Sequence, residues 1–180
     1  MNEVTTIEGK KSKINYAARE AILSFEEMLM QRPGTVYGDS DECPLNHTFC
    51  NGMYIREMEI PAGITLTGKI HKHEHPVFLM EGEILVATED GVIHLIAPQY
   101  FISPPGVKRA ARTLSDTVWV TIHQNLENIT NLGKLEEQNI SKSYKEFDNY
   151  VAKLEWDKKP FFKKALATIK KYLLCHGQQQ

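Results

Sequence analysis

The stretch GITLTGKIHKHEHPVFLMEG, residues 63–82, is the part of the sequence on which the prediction of the fold depends. It places His71, His73 and His75 at every second position. Alternate side chains of an extended chain project from the same face, so three imidazoles are expected to point in one direction. The stretch therefore predicts a candidate site carried by an extended segment.

Size and charge set the broad class of the protein. The chain has 180 residues, which suits one domain with a small helical appendage. Hydrophobic residues make up 42% and charged residues 24%, as in an ordinary soluble protein. A formal net charge of −2 gives no overall attraction to nucleic acid or to basic partners.

Cysteine content and the lack of long apolar runs bear on the compartment. Cys43, Cys50 and Cys175 are an odd number, and no apolar signal region precedes them. No long uncharged run indicates a membrane span. We therefore expect a cytoplasmic protein that does not associate with a membrane.

Short β-type runs separated by turn residues follow Gly52. They predict strands over residues 53–60, 65–72, 76–80, 83–88, 92–96, 100–103, 108–114 and 117–123. The segment Glu89-Asp-Gly91 is a good hairpin turn between two of them. Many short strands at this spacing predict an all-β core, as an antiparallel sandwich or barrel.

Helices are predicted at both ends of this core. Apolar residues recur at helical spacing over 15–30, with Asn15 as the N-cap, and again over 141–156 and 161–174. Residues 35–51 are expected to form an irregular connector. The predicted domains are an N-terminal helix with this connector over 1–51, the β core over 52–125 and a helical extension over 126–180.

Lysines dominate the end of the chain. Between residues 158 and 180 there are six lysines and no acidic residue. We expect these lysines to form a solvated basic face. The alternative is that they bind an anionic surface, either nucleic acid or lipid.

The central stretch resembles the first motif of the cupins, a superfamily of RmlC-like double-stranded β-helix proteins. That motif is G-x5-H-x-H-x3-E-x6-G, and the chain matches its spacing from Gly63 to Gly82. Lys69 stands at the first histidine position, His71 at the second, and His75 at the glutamate position. The resemblance implies a cupin jelly-roll barrel with an N-terminal helix and two C-terminal helices.

The second cupin motif, G-x5-P-x-G-x2-H-x3-N, falls at Pro98, Pro104 and Gly106. Arg109 replaces its histidine and Thr113 its asparagine. An arginine stays protonated and does not coordinate a metal, so the standard four-ligand site is broken. The chain is also similar to uncharacterised cupin-like proteins of bacteriophage genomes, through the HKHEH run and the last strand, TVWVTIH.

A replacement metal ligand is available in the last strand. In a jelly roll that strand runs antiparallel beside the strand that opens with His75, which brings His123 near. We expect His71, His75 and His123 to form an open site for zinc or ferrous iron, with His73 as a substitute ligand. The alternative is that the histidines occupy a tight turn and hydrogen-bond inside the barrel.

Two cations suggest a second role for the same cavity. Lys69 and Arg109 occupy positions that normally supply ligands, so their charged ends are expected to converge and to hold a carboxylate or phosphate. An equally weighted alternative is that Lys69 and Arg109 form salt bridges with Glu57, Glu59 or Glu83.

Three classes of function follow from this reading. The first is a metal-dependent small-molecule enzyme, and the second is a module that binds a small anion without catalysis. The third is a phage-encoded scaffold whose helices mediate oligomer or partner binding, in the host cytoplasm or the virion. Because cupins commonly associate, we expect a homodimer.

Overall fold

The computed structural model describes residues 14–36, 38–160, 163–166 and 168. The chain divides into two compact units between Lys142 and Ser143. The elements of the first unit are α1 (Tyr16–Met30), β1 (Leu45–Cys50), β2 (Gly52–Ile60), β3 (Thr65–Thr67), β4 (Ile70–His71), β5 (His75–Glu81), β6 (Glu83–Thr88), β7 (Gly91–Ile96), β8 (Gln99–Ser103), β9 (Ala110–Thr113), β10 (Thr117–Asn125), α2 (Leu132–Asn139) and β11 (Ile140–Ser141). The second unit contains α3 (Tyr144–Asp157).

The strand order is that of a jelly roll. One sheet has the order β1-β2-β10-β5-β8 and the other has the order β3-β9-β6-β7, with antiparallel pairing throughout. From β7 to β10 consecutive strands alternate between the two sheets. Strands β1 and β2, and likewise β6 and β7, are hairpins within one sheet, and β4 pairs with β11 in a separate two-stranded sheet. This is the topology of a double-sheet jelly roll. The predicted fold class is confirmed, with β1 added at the edge of the first sheet.

The core lies between the inner faces of the two sheets. Leu79 of β5, Ile84 and Val86 of β6 and Leu95 of β7 form a buried cluster. Trp119 of β10 packs against it from the first sheet. Burial of these apolar side chains supplies most of the driving force for folding. His75, at the start of β5, and His123, near the end of β10, lie outside this cluster.

Helix α1 lies against strands β3, β6 and β9 of the four-stranded sheet. As predicted, Asn15 is the N-cap, and its side chain accepts a hydrogen bond from the Ala18 N–H at 3.1 Å. Two largely buried ion pairs connect α1 to the β core. Arg19 pairs with Glu89 at 2.7 Å, and Glu26 pairs with Lys108 at 2.7 Å.

The predicted strand over 65–72 is wrong in one respect, because it is broken into β3 and β4. The Gly68 N–H donates to the Arg109 carbonyl at 2.8 Å, and the Lys108 ammonium donates to the Gly68 carbonyl at 2.8 Å. These bonds hold residues 68 and 69 outside either sheet. The other predicted strands are observed within two residues of their expected ends.

Part of the predicted irregular connector is a strand. Residues Leu45–Cys50 form β1, in which partly buried and exposed side chains alternate. This pattern is typical of an edge strand with one face covered. Helix α2 and strand β11 were also not predicted; β11 pairs with β4 through Ile140 and His71. The domain limits 1–51, 52–125 and 126–180 otherwise stay predictions.

The predicted helix over 141–156 is observed as α3, which begins later because Ser143 is its N-cap. The Ser143 side chain accepts from the Glu146 N–H at 3.2 Å. Most of the predicted helix over 161–174 lies outside the described residues, although 163–166 and 168 are helical. None of the helices described is both long and apolar enough to cross a membrane.

Candidate functional site

Three imidazole rings meet at one end of the first sheet. The rings of His71, His75 and His123 have centroids 4.2 to 4.9 Å apart. Each ring offers one nitrogen to the group, and the three nitrogens all lie within 4.8 Å of one another. His75 and His123 are buried, and His71 is partly buried. We refer to these residues as the histidine trio.

Strand pairing brings the trio together. Strand β10 runs antiparallel to β5, with Thr121 opposite Val77, so the end of β10 lies beside the start of β5. This is the arrangement expected for His123 and His75. His71 arrives on the short strand β4, where the Gly106 N–H donates to its carbonyl at 2.8 Å.

Hydrogen bonds orient two of the three rings of the trio. His75 Nδ1 lies 3.2 Å from the His73 carbonyl, which only accepts, so Nδ1 carries the proton and Nε2 keeps its lone pair. His123 Nε2 lies 3.0 Å from the Thr121 hydroxyl, which itself donates to the Arg56 carbonyl at 3.5 Å. The Thr121 hydroxyl thus holds the orientation of the His123 ring.

Burial keeps the trio uncharged at neutral pH. Desolvation, followed by the other two rings and by Arg109 and Arg56, lowers the pKa of His71 from 6.5 to about 2. Desolvation also lowers the pKa of His75 to about 4, with Arg109 adding to the effect. The pKa of His123 falls to about 3, through desolvation and then through His75 and Arg56. Three neutral imidazoles are the form that binds a metal.

The donor set fits a transition metal. His71 Nδ1 is buried and has no hydrogen-bond partner, which is costly unless a ligand uses its lone pair. The Ser103 hydroxyl, in register with His75 on β8, is also buried without a partner. Three imidazole nitrogens with an open remaining position suit zinc or ferrous iron, as in catalytic zinc sites with three protein ligands.

His73 does not join the trio. The chain bends at residues 72 and 73, between β4 and β5, so the alternation of an extended strand does not hold there. The ring of His73 instead hydrogen-bonds to the backbone of Gln138, which opposes the lowering of its pKa by desolvation and by Lys72. Its predicted role as a substitute ligand has no support from this geometry.

Arg109 lies near the trio, between β8 and β9 in the sequence. Its guanidinium carbon is 5.5 Å from the centre of the Phe101 ring, a cation–π contact. Burial lowers the pKa of Arg109 to about 10, which leaves the group charged at neutral pH. Its charge also acts on His71 and His75.

Lys69 lies at the surface. Its ammonium pairs with Glu136 at 2.6 Å, and the two side chains are 56% and 53% exposed. Because residue 69 lies in the break between β3 and β4, the strand alternation that would direct it inwards is lost. The expected convergence of Lys69 with Arg109 is not observed, and neither is a salt bridge from Lys69 to Glu57, Glu59 or Glu83.

The sequence reasoning missed residues of β2 that adjoin the trio. Tyr54 is opposite His123, and the two rings stack with centroids 5.8 Å apart. The Tyr54 hydroxyl lies 2.7 Å from Nδ1 of His47 on β1. Arg56, two residues further along β2, is opposite Thr121 and shares the face of Tyr54. Tyr54, Arg56 and Met58 alternate along β2 and so share one face of the strand. This alternation would have placed Tyr54 and Arg56 near the trio only if the pairing of β2 with β10 had been known.

Comparisons with known proteins identify similar folds but no family. No family model and no curated protein matches the chain. An RmlC-like cupin from Shewanella frigidimarina is 14% identical, with a TM-score of 0.43 over 57% of this chain and 96% of that one. KdgF from Halomonas sp. is 12% identical, with a TM-score of 0.42 over 49% and 84% of the two chains.

A third similar structure is salicylate 1,2-dioxygenase from Pseudoaminobacter salicylatoxidans. It is 12% identical, with a TM-score of 0.42 over 59% of this chain and 31% of that one. The chain is therefore a jelly-roll protein by its own strand order, with cupins among the solved structures that it resembles.

Proposed function

We propose that this protein binds a divalent transition metal, zinc or ferrous iron, through His71, His75 and His123, and that it binds or acts on a small anionic molecule at the same place. The observation that carries the proposal is the histidine trio itself: three neutral rings with their nitrogens within 4.8 Å and with one nitrogen, His71 Nδ1, buried without a partner. Such an atom costs about 1–3 kcal/mol unless a ligand satisfies it.

Different residues bind the metal, orient its ligands and bind the anion. The trio holds the ion, while the His73 carbonyl and the Thr121 hydroxyl fix the orientation of two of its rings. Arg109 lies within electrostatic range of His71 and His75 and orients an anion by charge-assisted hydrogen bonds. A bound zinc or ferrous ion supplies Lewis acidity for a ligand oxygen.

Elemental analysis of protein purified without a histidine tag tests the proposal. We expect about one zinc or iron per chain, as for a site with three protein ligands. The double variant His71→Gln/His75→Gln should lose the metal, whereas His94→Gln should keep it, because the His94 ring is half exposed and pairs with Glu83 at 2.6 Å. Metal that is absent from the wild type after reconstitution, or that is retained by the double variant, would contradict the proposal.

The remaining expectations belong to the same proposal. Catalysis by the bound metal, a homodimer, a cytoplasmic location and a bacteriophage origin stay predictions. Binding of nucleic acid rests on the six lysines of residues 158–180, of which Lys170 and Lys171 lie outside the described residues.

A further inference from the structure

A second guanidinium faces the histidine trio from the side opposite Arg109. Arg56 lies on β2, in register with Thr121 of β10, and Thr121 holds the ring of His123. The Thr121 hydroxyl also donates to the Arg56 carbonyl, so the Arg56 backbone is tied to the same strand. The Arg56 side chain is partly buried, and its charge acts on His71 and His123.

The register of the first sheet places the two cations on either side of the trio. Arg56, Thr121, Val77 and Phe101 form one row across β2, β10, β5 and β8. Arg109 lies over Phe101 at the far end of this row. Because neighbouring strands are about 4.8 Å apart, the backbones at the two ends of the row are separated by about 14 Å. The guanidiniums thus approach the histidines from opposite ends.

Neither of these two cations has an ion-pair partner among the described residues. Neither guanidinium makes a hydrogen bond or a salt bridge to any residue in the described part of the chain. Glu136 and Asp39 act on Arg56 through space, with less effect than desolvation and Tyr54, and Glu136 is itself paired with Lys69. The trio is neutral, so its surroundings carry two positive charges before any metal binds. Partly buried charges are costly when they are not paired.

We propose that the site takes a small dicarboxylate, with one carboxylate on Arg56 and the other on Arg109, so that the ligand spans the histidine trio. This inference rests on the proposed anion-binding function and adds both the ligand class and a residue, Arg56, that the motif comparison does not supply. Two separate anionic groups match two cations at opposite ends of a row. The planar fork of each guanidinium pairs with a carboxylate through two parallel hydrogen bonds.

A single phosphate fits this arrangement less well. Its charge is concentrated on one centre, so it can reach one guanidinium or the other but does not span the row between β2 and β8. A monocarboxylate leaves one of the two cations unpaired. The arrangement therefore predicts a preference that depends on the number and separation of the anionic groups.

Isothermal titration calorimetry with glutarate, succinate, butyrate and inorganic phosphate tests the inference. With zinc-loaded wild-type protein, we expect the better dicarboxylate to bind about 10- to 100-fold more tightly than butyrate or phosphate, as for a charge-assisted hydrogen-bonded pair. Arg56→Gln and Arg109→Gln should each reduce that preference to about twofold or less while zinc content is unchanged. Arg112→Gln is the matched control, because Arg112 is exposed and bonds Thr65 at 3.1 Å.

Several results would overturn the inference. They are equal affinities of the wild type for glutarate, succinate and butyrate, tighter binding of phosphate, or an undiminished preference in Arg56→Gln. If Arg56→Gln fails to fold, Arg56→Lys serves instead, since it keeps the charge and removes the fork. An intermediate loss of preference in Arg56→Lys supports the inference, and an unchanged preference contradicts it.

Repeating the titration on protein stripped with EDTA separates the two proposals. The two arginines do not depend on the metal, so the preference for a dicarboxylate should persist with lower affinity. If the protein holds no metal but still prefers a dicarboxylate, the metal proposal fails and this inference stands. If the trio binds zinc and no dicarboxylate is preferred, this inference fails alone.

Discussion

At the scale of single residues, the protonation of the trio is set by its surroundings. Folding lowers the pKa of His75 from 6.5 to about 4, and lowers those of His71 and His123 to about 2 and about 3, chiefly by desolvation. The unfolded chain then binds protons below pH 6.5 that the folded chain does not bind. Acid therefore favours the unfolded state.

The first prediction concerns this pH dependence in metal-free protein. We expect the free energy of unfolding to fall as the pH drops from about 6.5 towards 4, by up to about 1.4 kcal/mol per pH unit for each histidine. Urea unfolding at a series of pH values measures it. His71→Gln should make the dependence shallower, and Thr48→Val, which removes no titratable group at an exposed position, should not. The same slope in both variants would contradict the assignment.

The second prediction concerns Thr121, whose hydroxyl lies 3.0 Å from His123 Nε2. Thr121→Val keeps the shape of the side chain and removes the group that orients the ring. We expect the Kd for zinc to rise about 10- to 100-fold, as for other partners of metal-ligating histidines. Competition with a chromophoric chelator measures the change. Thr48→Val, at an exposed position of β1, is the control, and an equal effect in both variants would refute the role of Thr121.

At the scale of elements, tight turns hold the strands in register. Gly82 joins β5 to β6 with φ of +88°, and a Cβ there would lie 2.3 Å from the Asp116 carbonyl oxygen and 2.8 Å from the Thr117 Cα. Both the backbone conformation and the close approach of β10 thus require glycine. Gly63, with φ of +78°, has nothing within 4 Å of the same position.

The third prediction follows from this contrast. Gly82→Ala should lower the free energy of unfolding by on the order of 3 kcal/mol, and Gly63→Ala by about 1 kcal/mol, because only Gly82 adds an atomic overlap to an unfavourable φ. Chemical denaturation of both variants measures the difference. Equal losses would show that the approach of Asp116 does not constrain the turn.

Which elements were predictable depends on how local their signals are. Strands β5 to β8 follow from turn residues in their own sequence, such as Glu89-Asp-Gly91. The break at Gly68 depends on bonds from Lys108 and Arg109, some forty residues away, and no local pattern reports them. Strand β1 was missed since Gly, Asp, Asn and Pro residues around it obscured its short alternation.

The candidate site was predictable only in part for the same reason. His71, His75 and His123 could be grouped because the resemblance to cupins supplied the pairing of β10 with β5. Lys69 was misplaced because that reasoning assumed an unbroken strand. Arg56 required the register of β2 against β10, which joins residues more than sixty positions apart in the sequence.

At the scale of the whole molecule, metal binding and folding are linked. The trio is assembled from β4, β5 and β10, and β4 is paired only with β11, so the unfolded chain has no comparable site. A ligand that binds only the folded state stabilises it by mass action.

The fourth prediction is a zinc-dependent rise in thermal stability. At free zinc about 1,000-fold above the Kd, the folded state should gain about 4 kcal/mol, and EDTA should reverse the gain. Scanning calorimetry of wild type and of His71→Gln/His75→Gln measures it, and the double variant should not respond. A rise of the same size in the double variant would assign the effect to another part of the chain.

The central claim is that His71, His75 and His123 bind one divalent metal ion together. Titration of the metal-free protein with cobalt(II), followed by visible absorption, tests it most directly. We predict that one equivalent of cobalt gives the intense visible bands of a low-coordinate site with nitrogen ligands, and that one equivalent of zinc removes them. A spectrum that stays that of the hydrated ion throughout the titration would contradict the claim.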